Sequence, residues 1–181
     1  FSPLYNLTNL KALALDASHL KDISFIQSMP NLMYLSIANT DELKSIQPLE
    51  GCAGTLEHLF LSKTWGIEDY SVIEQLTNLT QLQLCVSYED TLPSFSCLQN
   101  LEYLELYGAD DLHAIGEAKG LIYLSLDSCN CEDMTFLSGL QNLEFLDLYD
   151  MSGYFVSLQP VTQLPKLRIL DISDSTAYTD A

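Results

Sequence analysis

The side chains in this chain with the clearest potential for chemistry are carboxylates. Asp and Glu number 25, against seven Lys and Arg and three His, which leaves a formal charge of −18. Glu105, Asp127 and Asp147 are candidate calcium ligands, since calcium accepts several oxygen ligands at about 2.3–2.6 Å. Glu105 and Asp147 are also candidates for the paired acid and base of a glycosidase. No D-x-D-x-D-G loop accompanies them, so we expect no metal site.

Histidine and cysteine residues form no stronger catalytic or metal-binding pattern. His19, His58 and His113 are widely separated, and neither a nucleophile elbow nor an H-E-x-x-H pattern accompanies them. Cys129 and Cys131 resemble half of a zinc site, but no second pair follows at a usable spacing. We therefore expect a non-enzymatic protein with no catalytic residue, no metal and no cofactor.

An internal repeat sets the backbone that must position these side chains. The pattern L-x-x-L-x-L recurs eight times, and every defined position is Leu or Ile. The repeats start at Leu10, Leu32, Leu56, Leu79, Leu101, Leu121, Leu143 and Leu167. This spacing is typical of stacked leucine-rich repeats, in which each unit buries its apolar face against its neighbours. The sequence predicts one such domain over residues 1–181.

Each repeat divides into a strand and a return segment. Leu13 and Leu15 alternate with polar or small residues, as in a short parallel strand. Leu20, Ile23 and Ile26 then recur at a spacing of three, which favours 3₁₀ or one-to-two-turn helical pieces. The predicted fold class is α/β: a right-handed leucine-rich-repeat solenoid, or horseshoe, with a concave parallel β-sheet and short 3₁₀ or helical segments on the convex side.

Three further expectations concern individual repeats. The third repeat, with Ile67, Tyr70, Ile73 and Leu76, is the candidate for a true helix. An Asn precedes the first leucine in five repeats, where its side chain can bind the backbone of a turn; these residues are Asn9, Asn31, Asn78, Asn100 and Asn142. Trp65 is either a rim contact or a lid over the core.

The first two repeats resemble a known repeat class. The stretch LTNLKALALDASHLKDISFIQSMPNL is similar to the 22-residue leucine-rich repeats of bacterial internalins and of a eukaryotic phosphatase-1 regulatory subunit. The resemblance covers essentially the whole chain, although the fifth repeat shortens to 20 residues and the second and seventh grow to 24. It implies a curved solenoid that binds other proteins.

The outward positions between the ladder leucines predict a binding surface on the last four repeats. Exposed aromatic rings among carboxylates suit a protein interface, because tyrosine supplies contact area and acids pair with Lys or Arg of a partner. The candidate partner-binding residues are Tyr103, Glu105, Tyr107, Tyr123, Asp127, Phe145, Asp147, Tyr149 and Asp171. The alternative is that aromatic residues merely favour sheets and that the acids keep the surface soluble. The glycosidase interpretation of Glu105 and Asp147 is not favoured, because the exposed face of a solenoid sheet is shallow and admits water.

Charge and cysteine content limit the partners and the compartment. The net charge repels nucleic acid and anionic membranes and favours a basic protein partner. No apolar run is long enough for a membrane helix. Residues 1–10 align with residues 23–32, so we expect a piece of a longer protein. Five cysteines, all predicted to be thiols, favour a cytosolic scaffold or regulatory subunit, whereas the resemblance to internalins favours a bacterial surface or secreted protein.

Overall fold

Eight strands form one open parallel sheet in the computed structural model, which describes residues 2–17, 19–130, 133–151 and 157–174. Each strand pairs with the next strand along the chain. The strands are β1 Ala12–Asp16, β2 Tyr34–Ala38, β3 His58–Ser62, β4 Gln81–Cys85, β5 Tyr103–Tyr107, β6 Tyr123–Asp127, β7 Phe145–Tyr149 and β8 Ile169–Asp171. The predicted leucine-rich-repeat solenoid is therefore confirmed.

The leucine pattern forms one continuous core behind the sheet. In the central strands, equivalent leucines lie opposite one another, so that Leu124 of β6 pairs in register with Leu104 and Leu146. All three side chains are fully buried. At the last strand, Leu170 is 42% exposed. A leucine at this position is thus fully buried where its coil packs between two neighbouring coils.

Short 3₁₀ segments connect most strands. Those between strands span Ser24–Ser28, Gln47–Cys52, Ser71–Gln75, His113–Glu117, Thr135–Gly139 and Gln159–Gln163, and one more, Ser2–Asn6, precedes β1. Residues 86–102, between β4 and β5, contain none. The prediction of a true helix in the third repeat is wrong, because only the five residues Ser71–Gln75 are helical there, and in the 3₁₀ form. An α-helix advances about 1.5 Å per residue against about 3.3 Å for extended chain, so a connection this short must stay largely extended to return to the sheet.

Many acidic side chains stabilise the start of these 3₁₀ segments. The carboxylates of Asp69 and Asp133 accept the backbone N–H of the residue two positions later, Ser71 and Thr135, at 2.8 Å in both cases. Asp22 and Asp111 make the same Asx turn with Ser24 and His113. These hydrogen bonds lower the pKa of all four carboxyl groups. These four carboxylates therefore stabilise the fold.

Four of the five asparagines before the strands have the predicted structural role. The side-chain amide of Asn31 donates to the carbonyl oxygen of Thr8 at 3.1 Å, and that of Asn142 donates to Lys119 at 2.9 Å. Asn78 and Asn100 make equivalent hydrogen bonds. Each bond runs to the turn of the preceding repeat, so this row of amides ties successive coils together.

Four cysteines are free thiols: Cys52, Cys85, Cys97 and Cys129. Burial raises the pKa of Cys52 and Cys129 to about 11, so both are uncharged at neutral pH. Cys85 is only 3% exposed, although its place in the repeat assigns it to the outward face of the sheet. The predicted thiol at Cys131 lies outside the described residues.

Candidate binding surface

The nine predicted partner-binding residues lie on the outer face of β5 to β8. We call this group the sheet-face site: Tyr103, Glu105, Tyr107, Tyr123, Asp127, Phe145, Asp147, Tyr149 and Asp171. Each alternates with a ladder residue, since successive side chains of a strand point to opposite faces, and the ladder leucines of β5, β6 and β7 are buried. None of the nine is buried. The parallel register then places residues of successive repeats side by side in three columns.

The first column is a stack of aromatic rings. The ring centroids of Tyr103 and Tyr123 are 4.2 Å apart with an interplanar angle of 7°. Those of Tyr123 and Phe145 are 4.7 Å apart with an angle of 19°. Both separations are close to the spacing of about 4.8 Å between neighbouring strands. The rings support one another and present an apolar strip that is already ordered before any partner arrives.

Hydrogen bonds that run across β3, β4 and β5 hold Glu105 beside this strip. Gln83 donates from Nε2 to Oε2 of Glu105 at 2.7 Å, and Ser62 donates from Oγ to Oε1 of Gln83 at 2.6 Å. The Tyr103 hydroxyl donates to the other oxygen of Glu105. Burial and this contact with Glu105 raise the pKa of Tyr103, which stays a proton donor. Gln83 and Ser62 are not among the residues predicted from the sequence, and their only signal is an outward position on the preceding strands.

A second column brings acidic side chains together. Asp147 lies opposite Asp171 in the register, and the Ser125 hydroxyl donates to Oδ2 of Asp147 at 3.0 Å. Partial burial raises the pKa of Asp147, and the negative charges of Asp171, Asp127 and Glu105 raise it further. The hydrogen bond from Ser125 opposes both effects. Ionised Asp147 is thus partly desolvated and also close to other negative charges, and a nearby cation would favour its ionised form.

This column gives a prediction for Asp147→Asn. Because the folded-state pKa of Asp147 is raised, stability falls as pH rises from the unfolded value through the folded one. We expect the variant to be more stable than the natural chain at pH 7 by on the order of 0.5 kcal/mol, since the site is partly solvated. The difference should vanish near pH 3, where Asp147 is already protonated. Urea unfolding at both pH values measures it.

The control for this prediction is Asp133→Ala, which should change the stability at pH 7 in the opposite direction. The pKa of Asp133 is lowered by hydrogen bonds from Thr135, so the ionised carboxylate stabilises the fold at pH 7 and its contribution is lost as the pH falls. Asp133→Ala should therefore lower stability at pH 7. An Asp147→Asn variant that is also less stable than the natural chain at pH 7 contradicts the electrostatic interpretation.

The third column carries Tyr107, Asp127 and Tyr149. Tyr149 is among the exposed large side chains, and Asp127 accepts a hydrogen bond from the Ser128 hydroxyl at 2.8 Å. The same hydroxyl lies 3.2 Å from Oδ2 of Asp150, so it can donate to either carboxylate. This column continues directly into the loops that follow the strands.

The three histidines lie in three different repeats. His19 contacts Glu42 at 2.7 Å, and His113 contacts Asp111 at 2.9 Å, both in exposed loops. His58 lies on β3, with its ring 6.2 Å from that of Tyr34. Over the described ranges, no three His, Cys, Asp or Glu side chains are arranged to hold a metal ion. Within the same ranges no helix has both the length and the apolar character needed to cross a bilayer.

Comparisons with known proteins identify solenoids of the same fold. Internalin C2 of Listeria monocytogenes superposes with a TM-score of 0.75 at 23% identity, over 92% of this chain and 73% of that one. A leucine-rich-repeat protein of Leptospira interrogans gives 0.81 at 21%, over 95% and 45%. The plant peptide hormone receptor RGFR1, in complex with RGF2, gives 0.72 at 20%, over 95% and 30%. No family model and no curated protein matches the chain.

These likenesses establish the fold. The chain is a leucine-rich-repeat protein in architecture, and internalins are among its structural neighbours, as its repeats predict. It spans 73% of internalin C2 but less than half of the Leptospira protein.

Proposed function

We propose that this chain is a non-enzymatic recognition module that binds a basic partner protein through the sheet-face site. The observation that carries the proposal is the ordered stack of Tyr103, Tyr123 and Phe145 beside a column of carboxylates. Rigid aromatic rings lose little side-chain entropy on binding and are frequent among residues that dominate interface energies. Lys or Arg side chains of the partner would pair with Asp147 and Asp171.

Two compartments are compatible with this module. A bacterial surface or secreted protein is supported by the internalin fold likeness. A cytosolic scaffold or regulatory subunit, directed at an intracellular enzyme, is the second candidate and is supported by the free thiols. The coding sequence upstream of Phe1 distinguishes them, because a signal peptide would support surface display and a nearby start codon would support the cytosol.

The proposal is tested with a partner recovered by affinity capture and then purified. We expect its affinity for the chain to fall as salt rises from 50 mM to about 500 mM, because exposed charges are screened beyond a few ångströms. Tyr107→Ala and Tyr149→Ala should each weaken binding by about fivefold or more, whereas Ser36→Ala on β2 should leave it unchanged. Equal effects of the tyrosine and serine variants, measured by calorimetry, would remove the sheet-face site as the interface.

A further inference from the structure

A small cleft borders the sheet-face site, in the loops that follow β3 to β6. Its volume is about 370 Å³, and its lining residues are Trp65, Val86, Ser87, Tyr88, Gly108 and Ser128. This volume is at the lower end of the range of about 300–1,000 Å³ typical of ligand pockets. Trp65 is 43% exposed and Tyr88 is 57% exposed. The cleft thus presents two large rings to solvent.

The floor of this Trp65 cleft depends on a glycine. Gly108 has a φ of +82°, and a Cβ there would lie 2.5 Å from the carbonyl oxygen of Val86 and 3.2 Å from Cζ3 of Trp65. The indole ring therefore lies directly against the Gly108 backbone, which only glycine permits. The Ser87 hydroxyl donates to the Trp65 carbonyl oxygen at 3.3 Å. Trp65 is accordingly held against the Gly108 backbone with part of its ring exposed.

Carboxylates border the apolar walls. The Ser128 hydroxyl, which lines the cleft, lies 2.8 Å from Oδ1 of Asp127 and 3.2 Å from Oδ2 of Asp150. The backbone N–H of Ser87, another lining residue, donates to Oδ2 of Asp90 at 3.1 Å. The carboxylates of Asp127, Asp150 and Asp90 are therefore each within hydrogen-bonding distance of a residue that lines the cleft. A positively charged ligand would therefore complement these carboxylates.

We propose that the Trp65 cleft binds an arginine side chain of the partner protein. A guanidinium group is planar and weakly hydrated, so its face can stack on the indole of Trp65 while its N–H groups donate to Asp127 and Asp150. A lysine ammonium is strongly hydrated and cannot stack in this way. A leucine would fill the apolar volume but would leave the carboxylates without a cation.

The cleft adjoins the sheet-face site, because Gly108 and Ser128 directly follow Tyr107 and Asp127 in the chain. The inference deepens the proposed function and rests on it for the identity of the partner as a basic protein. Arginine binding by the cleft, however, can be measured with a peptide alone. This separates the two proposals experimentally.

The test uses the intrinsic fluorescence of Trp65, which is the only tryptophan in the chain. The probes are capped tripeptides Gly-Arg-Gly, Gly-Lys-Gly and Gly-Leu-Gly, titrated into the whole chain at low salt. We expect the arginine peptide to change the emission saturably and to bind about two- to fivefold more tightly than the lysine peptide, as for an exposed cation–π contact. We expect no saturable change with the leucine peptide.

Variants then locate the arginine. Asp150→Asn removes a carboxylate that is hydrogen-bonded to Ser128, and Tyr88→Ala removes a lining ring. Each should weaken binding of the arginine peptide by about threefold or more, and neither changes Trp65 itself. Glu102→Gln makes the same charge change at the other end of β5 and should have no effect. Equal binding of the arginine peptide and either the lysine or the leucine peptide, or equal effects of Asp150→Asn and Glu102→Gln, would overturn the arginine assignment.

One further variant distinguishes failure of this inference from failure of the proposed function. Tyr123→Ala changes the sheet-face site but does not line the cleft, so it should leave peptide binding unchanged. If the peptide binds as expected while Tyr123→Ala does not weaken binding of the whole partner, the proposed interface is wrong and the arginine cleft stands. If the partner responds to Tyr123→Ala but the peptide results fail, only the cleft is wrong.

Discussion

Leu124→Ala is expected to lower the free energy of unfolding by about 3–5 kcal/mol, the upper part of the range for large-to-small core substitutions. Leu124 is fully buried and pairs in register with Leu104 and Leu146. Neighbouring coils hold these two leucines in place, so the cavity left by the lost side chain cannot easily collapse. The loss of packing adds to the loss of apolar burial.

Leu170→Ala is the matched control, because Leu170 has the same place in the last repeat. Its side chain is 42% exposed, so we expect a loss of less than about 1 kcal/mol. Urea unfolding followed by far-ultraviolet circular dichroism measures both variants. Equal destabilisation would contradict the conclusion that burial between two coils, and not the leucine pattern itself, stabilises each repeat.

Tyr123→Ala is expected to weaken partner binding by about 30-fold or more, as for a residue that dominates an interface. Tyr123 occupies the centre of the aromatic stack, with Tyr103 on one side and Phe145 on the other. Its removal separates these rings and leaves each without its stacking neighbour. The partner then loses one ring directly and must order the two others on binding, which adds an entropic cost.

The matched variant is Tyr123→Phe, which keeps the ring and removes only the hydroxyl. We expect its affinity to remain within about threefold of the natural chain, since stacking and contact area are conserved. Calorimetric titration with the purified partner compares the two variants. An affinity for Tyr123→Phe as low as that for Tyr123→Ala would show that the hydroxyl, and not the stack, is recognised.

The acidic residues of this chain have at least two separate roles. Asp22, Asp69, Asp111 and Asp133 bind the backbone at the start of 3₁₀ segments, and their pKa values are lowered by those hydrogen bonds. Asp147 faces other carboxylates on the sheet, and its pKa is raised. Net charge alone therefore does not locate a binding surface. The sign of each pKa shift distinguishes carboxylates that stabilise the fold from one that a cation would stabilise.

The repeat pattern alone determined the fold, the strand order and the columns on the sheet. Leucines at fixed offsets can be buried together only if successive repeats stack in register, and the alternation of side chains along a strand then assigns each remaining residue to the outer face. The Asn residues before the strands were equally predictable, since every turn leaves the same backbone groups to satisfy. These features follow from the repeat length alone, because they recur at the same position of each repeat.

Only the tertiary structure decided how side chains of different repeats meet. It buried Cys85 in spite of its outward position, bonded Gln83 to Glu105, and placed Trp65 against Gly108. The third repeat likewise remained a 3₁₀ turn. Such contacts join residues about 20 or more positions apart, and they depend on loop paths and rotamers that differ from coil to coil. The repeat period determines the backbone and core positions that all repeats have in common, whereas a binding site consists of side chains that differ from one repeat to the next.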